Sequence, residues 1–279
     1  MKSLKGKTAL ITGASKGIGV YIAEALAIEG MNLVLVARSS DLLEDVAKKL
    51  RTDQNKIITI TANIGDLDQL PNIVEQAESK SNGIDVLVNN AGVDFPYPYD
   101  ILDIDKIKWE MEINLMAPMI LTRLILPKMN ERGRGHIVNI SSLSGLVGTP
   151  YDEVYSTSKH GLMGFTRSLQ LTAIGESYPV GFSVICPGYI SKSGMYHDWV
   201  EETGIESHQS VGISTPDIVA KSVVKAIIKN KTEIIVNSRP FRPYLLIQAL
   251  FPSLAPWLTK KTGTIRDYKK HIDIIRKTR

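Results

Sequence analysis

Tyr155 and Lys159 stand four residues apart in the run Tyr-Ser-Thr-Ser-Lys, and Ser142 lies thirteen residues before the tyrosine. On a helix, positions i and i+4 share a face, so the phenol and the ammonium would project side by side. A phenol with an ordinary pKa of ~10 is a poor base near neutrality. A neighbouring ammonium favours its phenolate and brings it toward working pH. Such a tyrosine can take a proton from an alcohol or give one to a carbonyl. A serine hydroxyl nearby can bond the same oxygen and stabilise charge developing there. An isolated Tyr-x3-Lys pair is more often a surface pair, so its weight depends on what positions it.

Short β-branched runs alternate with longer amphipathic stretches. The strands expected are 8–12, 33–37, 57–62, 85–90, 136–141, 182–187 and 233–236. Helical patterns fill 18–29, 41–50, 68–81, 103–131, 152–176 and 216–229. Apolar runs without polar alternation mark strands buried on both faces. Their alternation with helices predicts an α/β, Rossmann-type doubly wound parallel sheet. Ser142 then follows the end of a strand, and strand carboxyl ends are where such sheets bind ligands.

The hydride that alcohol or carbonyl chemistry needs must come from a cofactor. After the first strand comes Thr12-Gly13-Ala14-Ser15-Lys16-Gly17-Ile18-Gly19, then a helix. A glycine-rich turn there lets backbone approach a pyrophosphate, which the helix N-terminus attracts. A tight structural turn is the plainer alternative, and the strand–helix junction favours the dinucleotide. NAD-selective folds usually place a carboxylate at the end of the second strand. Here the chain reads Ala37-Arg38-Ser39. Arg38, with Lys16, suits a 2′-phosphate, which predicts NADP(H). The cationic nicotinamide ring would then also favour a Tyr155 phenolate.

With these motifs in order, the chain resembles the short-chain dehydrogenase/reductase family in its single-domain branch. TGASKGIG (12–19), NNAG (89–92), EINL around Asn114, IVNISS (137–142), YSTSK (155–159) and PG (187–188) carry the resemblance, over roughly residues 5–237. It implies about seven parallel strands and nicotinamide-dependent chemistry. By position, Asn114 matches a fourth catalytic residue, holding a water that links Lys159 to solvent. Asn90, Ala91 and Gly92 match the loop along the adenosine ribose, and Pro187, Gly188 and Ile190 the segment along the nicotinamide. Tyr155 would be the acid/base, Ser142 the partner of the substrate oxygen, and Lys159 both a ribose contact and the modifier of the tyrosine pKa.

The chain departs from the pattern twice. The usual Asp near the adenine is replaced by Asn63, followed by Ile64; an amide can still bond the adenine amino group. The usual Thr after PG is missing from Tyr189-Ile190-Ser191-Lys192-Ser193, leaving Ser191 or Ser193 for its role.

Other residues carry less. His136, His160, His197, His208 and His271 show no metal-ligand spacing, and His160 reads as a helix-surface residue. No Ser-His-Asp arrangement is suggested. Cys186, the single cysteine, reads as a buried small hydrophobe. The loop 94–99, rich in aromatics and proline, and the connection 190–214 with Met195, Tyr196, Trp199 and Val200 are the segments expected to shape an apolar substrate site. The second is either a mobile lid or an ordinary packed helix.

The composition of the 279-residue, 30.8 kDa chain, 43% hydrophobic and 22% charged, excludes a disordered, collagen-like or coiled-coil protein. One cysteine excludes a disulfide framework and suggests a reducing, cytoplasmic setting. No signal peptide or membrane-spanning run is expected. Residues 239–279 hold ten Lys/Arg against Asp267 and Asp273, a net +8, whereas the body 1–238 is −4. The body reads as the catalytic domain and 239–279 as a basic extension. That extension could lie on a membrane, pack on a neighbouring subunit, or cap the substrate pocket; it could also be only a solvated basic face. Nucleic acid is not expected as a partner, and the resemblance suggests a homo-oligomer.

The function expected is an NADP(H)-dependent oxidoreductase interconverting a hydrophobic carbonyl and a secondary alcohol. A non-catalytic NADP(H) sensor or scaffold is the alternative, with no need for Asn114, Ser142, Tyr155 and Lys159 together. An epimerase or dehydratase would be expected to show a longer substrate domain.

Overall fold

A parallel sheet buried on both faces calls for mostly apolar strands, and these are so, with buried polar exceptions paired, Asn89 with Asn139 and His136 with Ser183. The computed structural model describes residues 1, 3–207 and 211–278. Its strands are β1 (Thr8–Thr12), β2 (Asn32–Ala37), β3 (Ile57–Thr61), β4 (Val86–Asn89), β5 (Gly135–Ile140), β6 (Val180–Pro187), β7 (Tyr189–Ile190), β8 (Ile213–Ser214) and β9 (Glu233–Val236). Seven form one parallel sheet in the order β3-β2-β1-β4-β5-β6-β9, and β7 pairs with β8 apart from it.

Successive side chains of a strand point to opposite faces. Ala9 and Ile11 of β1 accordingly pack with α1 (Ile18–Ile28), α2 (Ser40–Leu50) and α8 (Pro216–Lys229). Leu10 packs on the other side with α3 (Leu70–Ser81) and α5 (Ala117–Glu131). The order reverses between β1 and β4, which opens a crevice at their carboxyl ends.

One expected helix is broken. Residues 103–131 form α4 (Ile104–Met111), a π turn over Glu112–Met116, and α5. Such turns concentrate at functional sites, and this one carries Asn114. The long α6 (Glu153–Gly175) holds Tyr155 and Lys159. The connection after β7 contains α7 (Met195–Thr203). Beyond β9 the extension is helical throughout: α9 (Arg242–Leu250), α10 (Leu254–Lys261) and α11 (Thr264–Thr278). No helix among the described residues is long and apolar enough to cross a membrane.

Candidate active site

The glycine loop is shaped by space as well as by conformation. Gly13 and Gly17 have positive φ values of 68° and 64°, which glycine adopts without steric penalty. A Cβ on Gly13 would lie 2.8 Å from the Ala91 Cα, and one on Gly19 would lie 2.1 Å from the Gly13 carbonyl oxygen. The Asn90 amide braces the turn, donating to the carbonyls of Thr12 (2.9 Å) and Gly13 (3.2 Å). The Thr12 hydroxyl accepts from the backbone N–H groups of Asn90 and Ala91, both at 3.1 Å. Strand ends β1 and β4 are thereby locked together, and α1 begins at Gly17 with no acidic residue in its first turn. Open backbone and a bare helix N-terminus fit a pyrophosphate.

A cleft of about 1050 Å³ runs from this loop across the carboxyl end of the sheet. Gly13, Ser15, Lys16, Gly17, Ile18, Arg38, Ser39, Asn63, Ile64, Asn90, Ala91, Gly92, Pro187, Gly188 and Ile190 all line it, as do Ser142, Tyr155 and Lys159. Gly19 lies just behind, as the first helical turn. Arg38 rests its guanidinium over the Trp109 ring, 5.7 Å from the centroid, and Trp109 meets Phe95 at 5.3 Å. Asn63 uses its side-chain carbonyl locally, accepting from the Gly65 N–H at 3.1 Å. Ser191 donates its hydroxyl to the Ser214 carbonyl (3.1 Å), whereas Ser193 lines the cleft.

At the centre, the Ser142 and Tyr155 side chains line the cleft together, and Ser142 Oγ accepts from the Ser144 N–H at 3.1 Å. Lys159 donates from Nζ to the Ile140 carbonyl (3.1 Å) and lies 5.4 Å from the Tyr155 ring centroid. Burial lowers the lysine pKa to about 8, against the opposing pull of Glu110 and Asp94. The expected lowering of the Tyr155 pKa is not what the chain alone produces. Burial raises it, the carboxyl groups of Asp94, Asp152 and Glu110 raise it further, and only the nearby Ser142 hydroxyl opposes them. The chain therefore holds Tyr155 as a neutral phenol.

Those carboxyls are the part of the site that sequence reasoning missed. Asp94 and Asp152 lie close together, each with a buried carboxyl oxygen that has no hydrogen-bond partner among the described residues; burial raises Asp94 to about 6 and Asp152 well above its ordinary value. Glu110 is raised to about 8 by burial and then by Asp94. Tyr151, before Asp152, sits at φ 64°, a conformation that strains a non-glycine residue; its carbonyl accepts from the Tyr97 N–H at 2.9 Å.

Asn114 is fully buried. Its Oδ1 accepts from the Val93 N–H (2.9 Å), while Nδ2 donates to the Val93 carbonyl (2.8 Å) and to Ser158 (3.2 Å). The amide clamps the loop carrying Asp94 and does not line the cleft.

The C-terminal extension closes the far end. Phe241, Tyr244, Tyr268, His271 and Ile275 line the cleft, and the Tyr268 hydroxyl donates to Asp152 Oδ2 at 3.0 Å. Trp199 packs edge-on against Tyr268 at 4.6 Å.

The minor candidates fall away. His160 is exposed and bonded to its own helix, His136 is buried against Ser183, and His208 lies outside the described residues. No group of metal-ligating residues occurs among the described residues. Cys186 is buried against Met163 with its thiol pushed up to about 12 by burial, and it does not line the cleft. Gly13-Ala14-Ser15-Lys16-Gly17 also has the Gly-x-Ser-x-Gly spacing of serine hydrolases. Ser15 belongs to the glycine loop, however, and no histidine bonds it among the described residues.

A doubly wound sheet, a glycine cradle at its switch point and a Ser-Tyr-Lys cluster beside it define a nicotinamide-dependent oxidoreductase of the Rossmann type. The sequence profile described as short chain dehydrogenase matches residues 7–204, and the chain belongs to that family. A ketoacyl reductase, HetN, from Nostoc sp. is 43% identical over 240 residues, covering 86% of this chain and 82% of its own. L-sorbose reductase from Gluconobacter frateurii, solved with NADPH and L-sorbose, superposes with a TM-score of 0.76 at 28% identity, covering 85% of this chain and 97% of its own. A family member from Burkholderia phymatum, solved with NAD, shares the fold with a TM-score of 0.80 at 24% identity, over 91% and 96% of the two chains. The chain is thus an oxidoreductase of carbonyl or CH–OH groups with a nicotinamide cofactor.

Proposed function

We propose that this protein is an NADPH-dependent reductase of an apolar ketone, with Tyr155 as the proton donor. The observation that carries the reading is that Ser142, Tyr155 and Lys159 line one cleft together with the glycine loop, where burial keeps the Tyr155 phenol neutral. A protonated phenol serves reduction, where an acid is needed at the carbonyl oxygen.

Ser142 and Tyr155 together hold the carbonyl oxygen of the substrate. A nicotinamide cofactor held along residues 13–17 and 187–190 would supply the hydride for the carbonyl carbon. Tyr155 gives its proton to the oxygen, yielding the alcohol, and Ser142 stabilises the charge that develops meanwhile. Lys159, with a pKa near 8, is charged at neutral pH and steadies the transient phenolate. Asn114 acts at one remove, holding Val93 and with it Asp94 beside the lysine.

The preference for NADPH rests on Arg38 and Lys16, both exposed on the cleft wall without an ion-pair partner among the described residues. Trp109 supports Arg38 in position. Leu143, Val147, Met195, Trp199 and Phe241 give the substrate end an apolar character, in keeping with the acyl substrate named for HetN. The buried, unpaired Cys186 suits a cytoplasmic setting.

The test is NADPH oxidation across medium-chain ketones, 3-oxoacyl thioesters and ketose sugars. Turnover of the apolar ketones with NADPH in preference to NADH is expected. A preference for sugars would overturn the substrate class, and equal use of NADH would overturn the coenzyme assignment. Tight NADPH binding without turnover of any carbonyl would favour a redox sensor.

A further inference from the structure

Helices α9 and α10 have two faces of opposite character. Toward the body, Phe241, just before α9, and Tyr244, Thr259 and Thr262 line the cleft, and the Tyr244 and Thr259 hydroxyls bond across the pair at 2.9 Å. Away from it, Leu246, Leu250, Phe251 and Trp257 are 64%, 70%, 58% and 55% exposed, with Ile247 and Leu254 exposed beside them. Six large apolar side chains within twelve residues form a patch of a kind that marks an interaction surface.

The charge around this patch has one sign. From residue 240 to residue 265 the chain holds Arg242, Lys260 and Lys261, all exposed, and no Asp or Glu; Arg266 is already paired with Asp267 at 3.2 Å. Lys261 places its ammonium 5.5 Å from the centre of the Trp257 ring. A half-exposed tryptophan beside a lysine, on a short apolar helix, is the combination that settles at lipid headgroup level. Isologous pairing of two such faces would bring the same cations together. An anionic leaflet offers apolar burial and opposite charge at once.

We infer that the outer face of α9–α10 docks into the headgroup region of an anionic bilayer leaflet, and that the cleft rimmed by the same helices receives its apolar ketone from that leaflet. The docking half stands on this surface alone; the delivery half rests on the proposed function.

The experiment uses the full chain and vesicles of phosphatidylcholine, with or without about a third phosphatidylglycerol. The protein should sediment with the anionic vesicles about tenfold more strongly than with neutral ones, and less at high salt. Leu250→Glu/Phe251→Glu and, separately, Lys260→Glu/Lys261→Glu should each weaken binding about tenfold or more. Neither pair lines the cleft, and both variants should melt like the parent. Trp257 emission should shift to the blue on binding, a change Trp257→Phe removes. Failure to sediment with anionic vesicles, or unchanged binding by Leu250→Glu/Phe251→Glu, would overturn the docking. So would a solution dimer that this variant converts to monomer.

For delivery, a long-chain ketone dissolved in the anionic vesicles should be reduced poorly by Leu250→Glu/Phe251→Glu, with a short water-soluble ketone reduced as by the parent. Equal reduction of the vesicle-borne ketone would overturn delivery. Vesicle binding is read without turnover, so docking with no reduction of any carbonyl would condemn the proposed function and leave the surface standing. Reduction without docking would do the reverse.

Discussion

The hydroxyl of Tyr268, in the last helix of the chain, donates a 3.0 Å hydrogen bond to Asp152, three residues before Tyr155. The bond spans 116 positions of sequence and joins the basic extension to the start of the helix that carries the Tyr-Lys pair. Trp199 of α7 packs on Tyr268 and on His271, at 4.6 and 4.5 Å. The extension is therefore a wall of the cleft, whatever its outer face also does.

Tyr268→Phe removes this bond and leaves a buried carboxyl short of a partner. The expected loss of stability is about 1–3 kcal/mol, read by chemical denaturation. The KM for the ketone should rise several-fold, with a smaller change in kcat, because the wall moves and the reacting groups do not. An unchanged denaturation midpoint together with an unchanged KM would contradict the role.

Arg38→Ala should raise the KM for NADPH about tenfold or more, the scale of one lost charge-assisted hydrogen bond, and leave the KM for NADH nearly unchanged. Trp109→Leu removes the ring beneath the guanidinium and should act in the same direction, more weakly. Equal effects on both coenzymes would mean that Arg38 touches no 2′-phosphate.

Glu110 makes stability depend on pH. Its carboxyl is held at about 8 in the fold against 4.5 ordinarily. Between those values the folded state binds more protons than the unfolded one, so this group's contribution is full below about pH 4.5 and is lost as pH rises through 8. Glu110→Gln keeps the shape and removes the proton. The variant should gain on the parent by about 3 kcal/mol between pH 5 and pH 8, measured by urea denaturation at both. A difference that does not change with pH would show the carboxyl to be ionised in the fold.

The sheet was legible because its strands are apolar on both faces, as in Ala9-Leu10-Ile11, whose alternate residues feed opposite halves of the core. The glycine loop and the Tyr155–Lys159 pair were legible because their function fixes short spacings. Other features leave no such trace. The π turn at Glu112–Met116 has the same amphipathic pattern as the continuous helix expected there. Asp94, Glu110 and Asp152 lie far apart in sequence and meet only after β4, α4 and the start of α6 are assembled. Tyr268 stands in a basic extension whose sequence left a membrane contact, a subunit contact, a pocket cap and a solvated face all open, and its bond to Asp152 shows that it points inward. The raised Tyr155 pKa follows first from burial and then from the same unseen carboxyls.

The most direct measurement of the central claim is NADPH oxidation with an apolar ketone by the parent and by Tyr155→Phe, with NADPH binding followed separately by fluorescence. The proposed role predicts that kcat/KM falls by about 10²–10⁴ while NADPH affinity changes little. Retention of most of the activity by the phenylalanine variant would contradict it, and would move proton donation to another group in the cleft.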